Sequence, residues 1–373
     1  MNNTRRSVLW MVLIGALVFA ACIFPNLRGA ANPDMLAVFE TDEYAQFPHV
    51  IRMLTPGDTF YQSVRNFAVY QHYFYGYPFY FFSALSLLPL KLLLGADWSA
   101  HTQSIVLALR QLIGVLPMLL AAGLLSGIHA RRRPAWQTAL VFAFLLLVPA
   151  VVVNNFWWHP DSLLVLFVAL TLFFLDRDDG RYGKFFLLAA AACGLATGTK
   201  YMGLFFFIAV PLYLLWGVGR KQITWGRAAV LGALFVAVMA AALIISNPLL
   251  LLPQERAEII ATQRLQFVQT NQGYWTVNRA AYITWSQYPE DFRLHYGELW
   301  FLPAALAGLA LGIWRKERRL THLLILAYAL PYMLYFLFVA TTRRTHYFLP
   351  AMLPLFSCLV NLLPAPGTWR QRS

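Results

Sequence analysis

The run Tyr77–Leu94, YPFYFFSALSLLPLKLLL, decides how this chain is read. It is long and apolar enough to cross a bilayer, yet it contains Pro78, Pro89 and Lys91. Counting it as a crossing inverts every segment that follows. Around it, apolar runs recur at 7–24, 104–129, 136–153, 162–175, 185–199, 201–218, 228–246, 298–314, 320–340 and 347–363, and many approach bilayer length. The 373 residues are 60% hydrophobic and 12% charged, with a mean hydropathy of +0.57. Soluble domains carry about 25% charged residues, so a soluble enzyme, a disordered tail and a disulfide scaffold are excluded. The reading is an all-α polytopic membrane protein of about ten spans, ten being the number of runs above.

Charge settles the orientation. If 77–94 re-enters or lies in the interface, one side of the membrane holds Arg5, Arg6, Arg131, Arg132, Arg133, Arg177, Arg181, Lys184, Arg220, Lys221, Arg227, Arg315, Lys316, Arg318, Arg319, Arg370 and Arg372. These seventeen basic residues face only Asp176, Asp178, Asp179 and Glu317, and the twelve basic residues left over are matched by twelve acids. The whole formal net charge of +13 thus sits on one side, as the positive-inside bias requires of the cytoplasmic loops. The net basicity is therefore topological and implies no nucleic acid.

Two long segments face outward: 25–103, rich in tyrosine and phenylalanine, and 247–297, with a helix expected over 254–269. The aromatics suit helices lying at headgroup level. Residues 1–24 have a basic start but a poor cleavage site at Phe24-Pro25-Asn26, which makes this an uncleaved first span. Cys22, Cys193 and Cys358 fall in apolar runs without metal or redox spacing. With no repeat or linker, 1–373 reads as a single membrane domain without a large soluble part.

Chemistry is suggested first by Glu40-Thr41-Asp42-Glu43-Tyr44, three carboxylates where an outer loop meets the membrane. A partly desolvated carboxylate can act as a general base toward a hydroxyl, although the same residues also suit a solvated acidic helix start. His159-Pro160-Asp161-Ser162 opens another span, where capping alone would account for it and contact with substrate hydroxyls is the alternative. No metal-ligand spacing links these groups, and no phosphate loop, dinucleotide fingerprint or nucleophile elbow occurs. Neither a metal nor a cofactor is expected.

Asp42-Glu43 just after the first span resembles the Asp-Glu motif in the first outer loop of GT-C glycosyltransferases, multi-span enzymes that use polyprenyl-phosphate-linked sugars. Further parts recur in the same order: 81–95 with its central Lys91, Arg110, His159-Pro160-Asp161, Gly194-Leu195-Ala196 leading to Thr199-Lys200-Tyr201, Asn247-Pro248, and His346-Tyr347-Phe348-Leu349-Pro350 with Pro354. The combination is similar to the protein O-mannosyltransferase and aminoarabinose-transferase branch. That resemblance implies Asp42 as the base, with Glu43 as helper or acceptor-binding group, and a lipid-linked donor. Relatives commonly carry a phosphate-binding lysine just before the proline that opens the re-entrant segment, but 71–78 has none. Arg110, Lys200, Arg343 and Arg344 are the cations that could meet the phosphate instead. His159, Asp161, Arg264 and His346 are candidate substrate contacts, and His295 could line the same cavity.

Short inner loops leave no room for a nucleotide-sugar domain, so the sugar would have to arrive on a lipid. The expected activity is transfer of a hexose or pentose, with inversion, from a polyprenyl phosphate to a lipid, glycan or protein hydroxyl. The expected place is the outer face of a bacterial inner membrane. Two other classes stay open: a lipid or small-molecule transporter or flippase, which should carry ionisable groups near the midplane, and a non-catalytic membrane subunit.

Overall fold

A computed structural model describes residues 3–29, 41–130, 133–272, 286–315, 318–340 and 345–364. Among them there are helices and no strands. In chain order the helices are α1 (Asn3–Gly29), α2 (Thr41–Leu54), α3 (Phe60–Ala68), α4 (Tyr77–Leu94), α5 (Thr102–Leu109), α6 (Leu116–Ala130), α7 (Ala135–Leu147), α8 (Pro149–Asn154), α9 (Asp161–Asp178), α10 (Lys184–Lys200), α11 (Ala209–Gly219), α12 (Trp225–Ser246), α13 (Pro253–Gln272), α14 (Tyr288–Tyr296), α15 (Phe301–Trp314), α16 (Arg319–Leu334) and α17 (Leu349–Ser357). The centre is α9, packed on α6 and α10, with α12 against α10. Both α1 and α12 leave most of their apolar surface outward, as a lipid-facing helix does.

The apolar runs do not all become straight spans. Among the described residues six helices are long and apolar enough to cross a membrane, or seven if α14 and α15, bent by 71°, form one span. The physical reasons are local. Pro149 breaks the run 136–153 into α7 and α8, and the run 201–218 opens with a tight turn at Met202–Phe207 before α11. The helix α9 is apolar through its middle but has Asp161, Asp176, Arg177 and Asp178 at its ends.

Contacts sort the loops into two ends. At the basic end, Asn3 Nδ2 donates to the Arg133 carbonyl (2.5 Å) and Arg133 Nη1 to the Leu363 carbonyl (3.2 Å). There Asn361 Nδ2 lies 2.7 Å from His322 Nε2, and the Asp178 carboxylate accepts from the Tyr213 hydroxyl (2.6 Å). Segments that charge assigned to one side therefore do share an end.

Helix α4 stays at the other end along its length, about 27 Å at 1.5 Å per residue. Its first amide, Tyr77 N–H, donates to Asn247 Oδ1 (2.9 Å) at the end of α12, and Gly76 N–H donates to the Thr199 carbonyl (3.1 Å) at the end of α10. Midway, Ser83 Oγ accepts from Trp158 Nε1 (2.9 Å), just before α9. At its finish Lys91 Nζ donates to the Leu54 carbonyl (2.5 Å) of α2, and the next helix begins where Gln103 reaches the Leu27 carbonyl of α1 (3.4 Å). Start, middle and finish thus contact segments that the charge count places on the outer side, while by length and composition Tyr77–Ala100 is itself one of the six helices able to cross. Gly76 is required there, because a Cβ would stand 1.6 Å from the Gly198 carbonyl oxygen.

Candidate active site

The site is assembled from segments far apart in sequence. Helix α2 buries Glu43, Gln46, Phe47, Val50, Met53 and Leu54, an i, i+3, i+4, i+7 stripe that seats it on the bundle. That seating turns Glu43 inward and leaves Asp42, one position away, at the edge.

The two acids part company. Glu43 is fully buried and takes Arg110 in a two-pronged pair, from Nε to Oε1 (2.9 Å) and from Nη2 to Oε2 (2.6 Å). Its Oε1 also accepts from the Trp158 amide (2.5 Å). Arg110 opens a π-turn, Arg110–Val115, that joins α5 to α6. Such an inserted residue redirects side chains, and here it aims the guanidinium across the bundle.

Asp42 faces a cavity of about 710 Å³. Its Oδ2 accepts from the Tyr75 hydroxyl (3.1 Å) and lies 3.5 Å from His159 Nε2. Burial pushes this carboxyl up, but the bonds from His159 and Tyr75 and the charge of Lys200 outweigh it and hold Asp42 down at about 2. Behind Asp42 the chain of contacts continues. The Tyr75 hydroxyl lies 2.9 Å from His159 Nε2, His159 Nδ1 lies 2.9 Å from Asp161 Oδ2, and Lys200 Nζ reaches Asp161 Oδ1 at 2.5 Å. His159 stacks on Trp157, ring centres 3.9 Å apart. Lys200 also sits over the Tyr75 and Tyr347 rings, 5.8 and 5.4 Å from their centres.

Of the residues singled out from sequence, Asp42, His159 and Lys200 line this one cavity, and Asp161 links two of them from behind. Arg264 lines an adjoining cavity of about 640 Å³ that shares Phe74, Tyr75, Lys200, Tyr201, Gln263, Gln266 and Phe267 with the first. The sequence offered Arg110 to a phosphate and Glu43 to the acceptor; in the fold two guanidinium nitrogens of Arg110 bind Glu43, away from the cavity lining. His295 bonds within its own helix, to the Asp291 carbonyl (2.9 Å), and lines neither cavity. Arg343 and Arg344 lie outside the described residues, as does the His346 side chain. Sequence reasoning missed Tyr75, His72, Gln266 and the Trp157–His159 stack. The aromatic run 70–80 was visible, but a headgroup belt explains it as well as a site does.

This arrangement, an ionised carboxylate and an ammonium sharing one cavity at the end of a membrane bundle, suits a reaction in which a hydroxyl is deprotonated and an anion departs. The family model described as dolichyl-phosphate-mannose-protein mannosyltransferase matches residues 99–245, a stretch that holds Arg110, His159, Asp161 and Lys200 but not Asp42. Among solved structures the chain is similar to ArnT from Cupriavidus metallidurans bound to undecaprenyl phosphate, with 16% identity and a TM-score of 0.61 over 96% of this chain. The apo structure of the same ArnT aligns over 80% of this chain and 51% of its own, at 16% identity and a TM-score of 0.49. No curated protein matches. The fold is the GT-C fold of multi-span membrane proteins. The chain spans 61% of the length of the undecaprenyl-phosphate-bound ArnT chain.

Proposed function

We propose that this chain is a glycosyltransferase that moves a sugar from a polyprenyl phosphate to an acceptor hydroxyl at the outer face of a bacterial inner membrane. The observation that carries the reading is the shared cavity of Asp42 and Lys200, with His159, Tyr75 and Asp161 fixing both. The ArnT structure with this fold holds undecaprenyl phosphate, and the matching family model is named for a dolichyl-phosphate sugar. Both support a lipid-phosphate donor.

The acceptor hydroxyl donates its hydrogen bond to Asp42. Its oxygen attacks the anomeric carbon from the face opposite the phosphate, the bond from that carbon to the phosphate oxygen breaks, and the electron pair leaves with the lipid phosphate. The hydroxyl proton passes to Asp42, and Lys200 meets the charge on the leaving group. A carboxylate held at about 2 is a weak base. It is ionised at any working pH, so it orients the acceptor in every encounter, and it takes the proton late, once the forming bond has acidified the hydroxyl. The adjoining cavity, largely apolar and bordered by Arg264, suits the first isoprene units.

The acceptor is a lipid, a glycan or a protein, and the transferred unit is a hexose or pentose. Mass spectrometry of lipid and envelope fractions from cells with and without the chain tests this. The expected result is a polyprenyl-phosphate sugar that accumulates when the chain is absent, and a product of opposite anomeric configuration that disappears. A product that keeps the donor's configuration would rule out single displacement.

A further inference from the structure

The loop 69–76, between α3 and α4, is held more tightly than a connector needs. Gln71 adopts φ +61°, a conformation disfavoured for any residue but glycine, and its side-chain carbonyl accepts from Arg52 Nη1. The Tyr73 carbonyl accepts from Gln263 Nε2 at 2.5 Å, and the Tyr70 hydroxyl donates to the Tyr75 carbonyl at 3.0 Å. Between these anchors His72 lines the Asp42 cavity, its Nδ1 hydrogen-bonded to the hydroxyl of buried Tyr80 and its ring centre 5.2 Å from that of Phe74. Gln266 and Thr270, one turn apart on α13, line the same cavity.

We infer that His72, oriented by Tyr80, reads the hydroxyls of the transferred sugar together with Gln266 and Thr270, so that these residues select an uncharged, hydroxyl-rich ring. The inference rests on the glycosyl-transfer reading above. A buried phenol satisfies its proton by donating to Nδ1, which assigns the ring proton to Nε2 as a donor for a substrate oxygen. Burial, with the nearby His49, pushes His72 down to about 4, so the imidazole is uncharged at neutral pH. Amide, hydroxyl and neutral imidazole each accept or donate to a hydroxyl without bringing a net charge. A sugar carrying an ammonium or carboxylate needs a counter-charge beyond the reacting pair. Among the described lining residues the carboxylate is Asp42 and the ammonium is Lys200, both committed to the reaction. His72 and Tyr80 are thus a specificity residue and its positioning residue.

The test uses the full chain in proteoliposomes with three synthetic polyprenyl-phosphate donors, bearing mannose, glucosamine or glucuronic acid, and reads kcat and KM separately. Binding is read on the Asp42→Asn background, where chemistry is removed. Mannose is expected to transfer with the highest kcat/KM. For it, His72→Ala should raise KM about tenfold with kcat within about twofold, the size expected for one lost hydrogen bond to substrate. His72→Gln, which keeps an N–H near the Nε2 position, should recover most of that loss, and Tyr80→Phe should fall between. If His72→Ala does not fold, Gln266→Ala on α13 carries the same KM expectation. An unchanged KM in a folded His72→Ala or Gln266→Ala protein, or equal kcat/KM for a charged donor, would overturn the inference while leaving glycosyl transfer standing. No transfer from any of the three donors would overturn both.

Discussion

Asp42 and Glu43 are neighbours in sequence with opposite fates, and the difference is one position on a helix. The stripe that seats α2 buries Glu43 against Arg110 and leaves Asp42 facing the cavity. A buried pair with a missing partner leaves an uncompensated charge, so Arg110→Ala should cost about 3–5 kcal/mol, read by thermal unfolding in detergent. Replacing both with apolar residues of similar volume should restore most of that loss. The pH dependence of Asp42 has a definite sign. Its carboxyl sits at about 2 instead of the usual 3.8, so its contribution to stability is complete above 3.8 and is lost only as pH falls through about 2. A rate profile over about pH 3.5 to 8 should accordingly show no acid limb from Asp42; a limb near pH 4 would contradict this. The sequence pointed to Asp42, His159, Asp161 and Lys200 through residue type and position at the starts and ends of apolar runs. Tyr75 and His72 were not legible, because nothing local distinguishes a tyrosine that holds a carboxylate from one that anchors at the headgroups. The Arg110–Glu43 pair was hidden for a related reason: its partners are 67 positions apart, and only packing brings them together.

At the scale of elements, α4 is the piece that shapes the site. Its start is clamped to the ends of α10 and α12 through Gly76, Tyr77 and Asn247, and this clamp sets the path of the loop that carries His72 and Tyr75. A Cβ at Gly76 would collide with the Gly198 carbonyl, a backbone atom that cannot rotate away. Gly76→Ala should therefore destabilise by about 1–3 kcal/mol and reduce transfer in the protein that remains folded, as measured by unfolding and by activity per folded molecule. Proline and charge mark 77–94 as unusual in the sequence itself. What sequence could not supply was the break of several apolar runs into short or bent helices, since a proline such as Pro149 reads alike whether it kinks a span or ends one.

For the whole molecule, the positive-inside count and the contact map agree on which loops share an end. Cysteine labelling offers a direct check, because Cys22, Cys193 and Cys358 are buried and give little background. Single cysteines at exposed Tyr61 and Asp97, which flank α4, should react with an impermeant maleimide from the same side of the membrane, and one at Arg220 from the other. Labelling of positions 61 and 97 from opposite sides would make α4 a crossing and overturn the topology.

The most direct measurement is the transfer rate of Asp42→Asn in proteoliposomes supplied with a polyprenyl-phosphate sugar and acceptor membranes. Loss of the base should lower kcat by about 100-fold or more, in a protein that still folds and retains donor, its thermal stability lowered by the missing carboxylate charge. Transfer at the original rate by a folded Asp42→Asn protein would remove the carboxylate from the chemistry and contradict the assignment.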